Sequence, residues 1–164
     1  MWLRSARCAS TDGRVAEPGF GGPLVLDNSA WSRLLGGRVP EPTRRRWREA
    51  LDRDEVLVCD PFRLEALYSA RDADDYRALA EELGALRQAP CDDVVWELAR
   101  AAQATLAEDR RVSHRVKPVD LLVAAVAHEQ ALGVLHYDPD YDTIADRSEL
   151  RIRSVWIAPR GSMP

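Results

Sequence analysis

Six oxygen-bearing side chains stand where short apolar runs begin or end. Asp27 closes "PLVLD" (residues 23–27), with Ser29 two places on, and Glu65 lies within "DPFRLEALYSAR" (60–71). Asp120 opens the apolar stretch in "KPVDLLVAAVAHEQAL" (117–132), and Asp138 and Asp140 follow the run "VLHY" at 134–137. An acid at the end of a core strand costs free energy unless something pairs with it. Gathered in one cleft, such acids would repel one another and raise their own pKa values. A hard divalent cation removes that repulsion. Mg²⁺ or Mn²⁺ takes oxygen ligands and commonly bridges carboxylates to phosphates. Each acid also has a plainer reading. Asp120 suits the N-terminus of a helix, Glu65 suits a solvated helix face, and Asp138, Asp140 and Asp142 suit turns and a helix cap. Their joint spacing carries the metal reading; no single one does.

The elements that would position these groups alternate. The pattern predicts a strand at 24–27 and a helix from Ser29 to the glycines at 36–37. A helix over 41–54 follows, with Trp47 and Leu51 on its buried face, then a strand at 55–59. Asp60 as N-cap and Pro61 at the first helical position start a helix over 60–71. Further helices are expected at 73–87, 93–109 and 117–132, the last apolar nearly all round and stopped by Gly133. A strand at 134–138, a short helix at 140–146 and a strand at 151–158 close the pattern. Strands alternating with helices indicate an α/β sandwich with a mostly parallel sheet. In such sheets ligands collect at the carboxyl ends of the strands, where Asp27 and Asp138 fall.

With 164 residues, 46% of them hydrophobic, the chain is long enough for one well-buried core and short for two. A net charge of −4 argues against a general polyanion binder, though not against an acidic centre ringed by local basic patches. Of 23 basic residues only Lys117 is a lysine. Cys8, Cys59 and Cys91 lack zinc-ligand spacing and are odd in number, which favours a reduced, cytoplasmic setting. No apolar run reaches membrane-spanning length, and "MWLRSARCAS" lacks the apolar core of a signal peptide. Residues 1–22 read as a flexible extension, 23–160 as the domain and 161–164 as a tail. His114, His128 and His136 share no metal-ligand spacing, and no serine-hydrolase or P-loop motif is present.

Four stretches, "LVLDNSAWSRLL", "FRLEALYSAR", "VKPVDLLVAAVAHEQALGVLHYDPDYDTIA" and "VWIAPRG", together resemble PIN-domain ribonucleases, and among these the VapC toxins of bacterial toxin–antitoxin pairs. The resemblance spans about residues 24–160. Its most specific part is Pro118–Ala145: Pro-x-Asp, an Ala-rich apolar helix, then a strand ending His-Tyr-Asp-x-Asp. It implies a three-layer α/β/α sandwich and a metal-dependent endoribonuclease, with Mg²⁺ or Mn²⁺, leaving a 5′-phosphate and a 3′-hydroxyl. Position by position, Asp27 matches the first metal-binding acid and Ser29 the hydroxyl residue that orients it. Glu65 matches the helix-borne acid and Asp120 the acid opening the apolar helix. The fourth acid is Asp138 or Asp140, with Asp138 preferred. Asn28 departs from the Thr or Ser usual beside the first acid, a role that Ser29 covers.

The same resemblance implies a structured RNA substrate such as tRNA or rRNA, a symmetric homodimer and a cognate VapB-like antitoxin. The antitoxin's C-terminal segment would fold between helices 41–54 and 60–71. Arg110, Arg111, Arg115 and Lys117 lead into Asp120 and would bring positive charge to the rim of the acidic pocket. "TRRRWRE" (43–49) reads first as a solvated helix face around one core tryptophan, with a patch meeting RNA backbone or an acidic antitoxin as the alternative. The presence of every matched acid favours catalysis over a PIN-like fold kept only for binding RNA or protein. Small size argues against a housekeeping or DNA-directed PIN nuclease.

Overall fold

Three consecutive residues with no exposed surface, Leu24, Val25 and Leu26, form β1 (Leu24–Leu26) at the centre of a five-stranded sheet. The structure, a computed structural model, describes residues 20–37, 39–109 and 115–163. The other strands are β2 (Val56–Val58), β3 (Arg87–Gln88), β4 (Gly133–His136) and β5 (Arg153–Trp156). Their order is β3-β2-β1-β4-β5, and every pairing is parallel. The sheet is therefore wholly parallel, where a mostly parallel one is expected from sequence. Strands β1, β2 and β4 are buried at every residue, so helices cover both faces, giving three layers.

Seven helices are present among the described residues: α1 (Asn28–Leu35), α2 (Glu41–Asp52), α3 (Asp60–Tyr68), α4 (Ala73–Gly84), α5 (Asp93–Glu108), α6 (Pro118–Glu129) and α7 (Asp140–Arg147). Helix α6 is buried at every position from Asp120 to Ala127, as its nearly uniform apolar sequence requires. No helix is long and apolar enough to cross a membrane among the described residues. Phe20, three residues before the expected start of the domain, is buried; its carbonyl accepts from Arg153 Nη1 at 2.7 Å and Arg46 lies over its ring.

Four local expectations are corrected. Helix α4 ends at Gly84 instead of reaching residue 87, because residues 87–88 pair in parallel with Leu57 and Val58 as β3. Two exposed polar residues carry no apolar alternation by which such an edge strand could be read. Cys59, in extended conformation, is the N-cap of α3, so Asp60 and Pro61 are its first two residues. Gly133 does not stop α6. The helix ends at Glu129, the left-handed residue is Ala131 with φ 53°, and Gly133 is the first residue of β4. A Cβ at Gly133 would lie 2.7 Å from the Arg153 guanidinium and 2.8 Å from Leu24 Cδ2. Gly133→Ala is accordingly expected to cost about 1–3 kcal/mol through overpacking, read as a lower urea midpoint with an unchanged slope. Finally, β1 stops at Leu26 and β4 at His136, which leaves Asp27 and Asp138 just beyond the strands.

The strand order fixes where a ligand would bind. From β1 the chain runs outward through β2 to β3, then returns to place β4 and β5 on the other side. The crevice between the ends of β1 and β4 is thus the switch point of the sheet. Pairing of Leu26 with Leu135 brings the segments after both strands level with each other.

Candidate active site

Asp27 follows β1 directly and serves as N-cap of α1. Its Oδ2 accepts from the Ser29 backbone N–H at 2.8 Å and from the Ser29 hydroxyl. Its Oδ1 accepts from the Tyr141 hydroxyl at 2.8 Å. Ser29 Oγ in turn accepts from the Tyr137 N–H at 2.8 Å, which ties the start of α1 to the segment after β4. Ser29 thus contacts the acid through both its N–H and its hydroxyl. Tyr141, fully buried, is an orienting residue that the sequence reading did not assign. A tyrosine inside a core needs a partner for its hydroxyl, and that was the available signal.

Asp120 reaches the same crevice from the first turn of α6, with 3% of its surface exposed. Its Oδ2 is buried and has no hydrogen-bond partner. Burial foremost, and then the charges of Asp27, Asp138 and Glu65, push its carboxyl up to about 7; Lys117 pulls the other way. A helix N-terminus favours an anion by at most about 2 kcal/mol, whereas a rise of roughly three pH units corresponds to about 4 kcal/mol. Burial among like charges wins.

Glu65, half-buried on α3, is likewise raised, first by burial and next by Asp27, while a side-chain hydrogen bond from Asn28 lowers it. Asn28, the departure from the expected pattern, lines the cleft beside this second acid. Tyr68, three residues on from Glu65, is 91% exposed while Phe62 is buried. Asp138 Oδ1 accepts from the Asp140 N–H at 3.0 Å, and its Oδ2 lies 3.7 Å from Lys117 Nζ. Asp140 is raised by burial and by Asp138. The charge of Asp120 in turn raises Lys117.

These groups line a cleft of about 140 Å³ bounded by Asp27, Asn28, Ser29, Ser32, Glu65, Lys117, Asp120 and Asp138. One oxygen each from Asp27, Glu65 and Asp120 lie within 4.8 Å of one another, as do one each from Asp120, Asp138 and Asp140. All the sequence-read acids therefore converge, with Asp120 common to both triplets. Asp138 lines the cleft; Asp140 joins only the second triplet. An all-oxygen donor set with an orphaned buried carboxylate oxygen fits a hard divalent cation. Of the expected rim arginines, Arg110 and Arg111 lie outside the described residues, as does His114; Arg115 is exposed. His128 accepts the Arg151 N–H at its Nδ1, 2.8 Å away, on the far side of α6 from the acids' end.

A parallel α/β sheet with carboxylates converging at its switch point defines a class. Residues 24–147 match the PIN domain, and the chain belongs to that family. Within it the chain stands with the VapC ribonucleases: it is 40% identical over 141 residues to ribonuclease VapC18 of Mycobacterium tuberculosis, covering 85% of this chain and 98% of that relative. Among solved structures it is similar to VapBC-5 of Mycobacterium tuberculosis, from the VapBC family of toxin–antitoxin systems (TM-score 0.56, 26% identity, covering 82% of this chain and 99% of that one). It also shares its fold with DNA-bound VapBC from Salmonella typhimurium (TM-score 0.67, 17% identity, 84% and 99%). The family resemblance read from the motifs is borne out.

Proposed function

We propose that the protein is a divalent-metal-dependent endoribonuclease toxin that cleaves structured cellular RNA, such as tRNA or rRNA, and is held in check by a VapB-like antitoxin. The observation that carries this reading is the convergence of Asp27, Glu65, Asp120 and Asp138 on one cleft, in a chain that belongs with VapC ribonucleases. Asp27, Asp120, Glu65 and Asp138 would hold Mg²⁺, with Mn²⁺ as a substitute, and Asp140 would support Asp138. When bound, such an ion supplies Lewis-acid polarisation of the scissile phosphate and activation of an attacking water.

The chain's own residues do the rest. Ser29 and Tyr141 keep both Asp27 oxygens in fixed directions. Glu65, which lines the cleft with Asp27 and Asp120, would hold the attacking water or accept its proton. Lys117, at the mouth of the cleft, offsets the repulsion between the acids and the RNA backbone. Arg110, Arg111 and Arg115 would extend that positive rim. Lys117 caps α6 through its backbone only, so Lys117→Met should keep the fold. It is expected to raise KM for RNA about 2–5-fold, the scale of one exposed charge pair, with a smaller change in kcat, as steady-state cleavage of a labelled RNA would show.

An antitoxin side chain entering the acidic cleft, an arginine by charge, would compete with the metal. Exposed Leu64 and Tyr68 on α3 offer apolar anchorage beside the cleft for a segment folding onto α2 and α3. A homodimer and a cytoplasmic setting complete the proposal; the free thiols Cys59 and Cys91 accord with the latter. The test is incubation of antitoxin-free protein with total cellular RNA, with Mn²⁺ or with chelator. Discrete fragments bearing 5′-phosphates, formed only with metal, support the reading. Fragments formed equally in chelator would contradict it.

A further inference from the structure

Two acids of the cleft, Asp27 and Asp138, come from different strand ends, yet both are tied to the first turn of one helix, α7. Tyr141 reaches Asp27 directly through its hydroxyl, 2.8 Å from Oδ1. Asp142, the next residue, starts a longer chain. Its Oδ1 accepts from the Ser154 hydroxyl on β5 at 2.5 Å, and both its oxygens accept from Trp156 Nε1, at 3.1 and 3.2 Å. Ser154 Oγ lies 2.7 Å from His136 Nε2, and His136 Nδ1 accepts the Asp138 N–H at 3.1 Å. The directions are consistent only one way. With its proton given to Asp142, Ser154 accepts from Nε2–H, which leaves Nδ1 free to accept from Asp138.

His136 is itself fixed in place. It is wholly buried and packed against Tyr141 and Trp156, with ring centroids 4.8 and 5.0 Å away. The ring that links Asp142 to Asp138 therefore also packs against the ring that holds Asp27. No group in this frame except Asp27 and Asp138 lines the cleft.

We infer that Tyr141 and the Asp142–Ser154–His136 chain are the positioning residues of the site, setting Asp27 and the Asp138 segment at the spacing that metal binding needs. This rests on the proposed metal-site reading. Residues that orient ligating groups without touching the ion change metal affinity by about 10–100-fold when removed. A purely structural role would instead lower melting temperature and leave the affinity of the folded protein unchanged.

Two small substitutions separate these roles. Tyr141→Phe removes one hydroxyl and keeps the ring; Ser154→Ala breaks the chain, while Ser154→Thr keeps the hydroxyl. Mn²⁺ binding would be followed by calorimetry on full-length wild type, these three variants and Asp120→Ala, well below each melting temperature. The expected result is a loss of affinity of about 10-fold or more in Tyr141→Phe and in Ser154→Ala, with Ser154→Thr restored to the wild-type value. Wild-type affinity in both Tyr141→Phe and Ser154→Ala, alongside loss of binding in Asp120→Ala, would overturn the positioning role alone. Wild-type protein that takes up no Mn²⁺ would overturn the metal-site reading beneath it.

Discussion

Asp120→Ala is expected to make the metal-free protein more stable at pH 8 while abolishing metal-dependent RNA cleavage. Asp120 is buried, one of its oxygens has no partner, and its carboxyl is raised from 3.8 to about 7. Between those values the folded chain keeps a proton that the unfolded chain has released. The unfolded state then binds fewer protons, so stability falls as pH rises through this window. By pH 8 the loss amounts to about 4 kcal/mol at most, from roughly three pH units. Alanine removes that penalty, and the benefit should fade as pH falls below the unfolded value of 3.8, where the carboxyl becomes neutral in both states. Urea titrations in chelator at pH 5 and pH 8 measure it directly. Wild type is expected to weaken over that interval more steeply than Asp120→Ala; equal slopes would refute the assignment. Cleavage should fall at least about 100-fold, given the several kcal/mol a Lewis acid contributes to such a reaction.

The same substitution at Asp27 should act on stability with the opposite sign. The Asp27 carboxylate accepts three hydrogen bonds, two of them from Ser29 and one from the buried Tyr141 hydroxyl, and caps α1. Asp27→Ala strands those donors and removes the cap, for a cost of about 2–4 kcal/mol when both effects are combined. The urea midpoint should drop at pH 5, and by less at pH 8, where loss of the Asp27 charge also relieves Asp120. Cleavage should be lost as fully as in Asp120→Ala. The pair separates function from stability: two acids a few ångströms apart, both expected to be needed for cleavage, one anchored and one in tension. A destabilised Asp120→Ala or an unperturbed Asp27→Ala would show that the charges are arranged differently.

The acid that ends β1 was legible because charge is rare beside an uninterrupted apolar triplet, and the α/β alternation placed it at a strand end. The same reasoning located Asp120 and Asp138, since a nearly all-apolar helix and a short apolar strand must be buried. Edge strand β3 was not legible. Its two residues are exposed, and its pairing is decided by the neighbouring β2. The role of Gly133 was misread for a related reason: the need for a missing Cβ arises from Leu24 and Arg153, distant in sequence. The tertiary hydrogen bonds of Tyr141, Asp142, Ser154 and Trp156 were not legible because each spans a dozen residues or more. Local periodicity carries no trace of such pairings.

The converging acids are proposed to hold a divalent ion that the cleavage reaction requires. The most direct test is the rate of RNA cleavage by antitoxin-free protein as a function of Mn²⁺ concentration, set beside Mn²⁺ binding to the same protein by calorimetry. Cleavage should saturate with the same midpoint as binding, and both should vanish in Asp27→Ala and Asp120→Ala variants that remain folded. Cleavage that persists without metal, or metal binding that survives in both variants, would contradict that proposal.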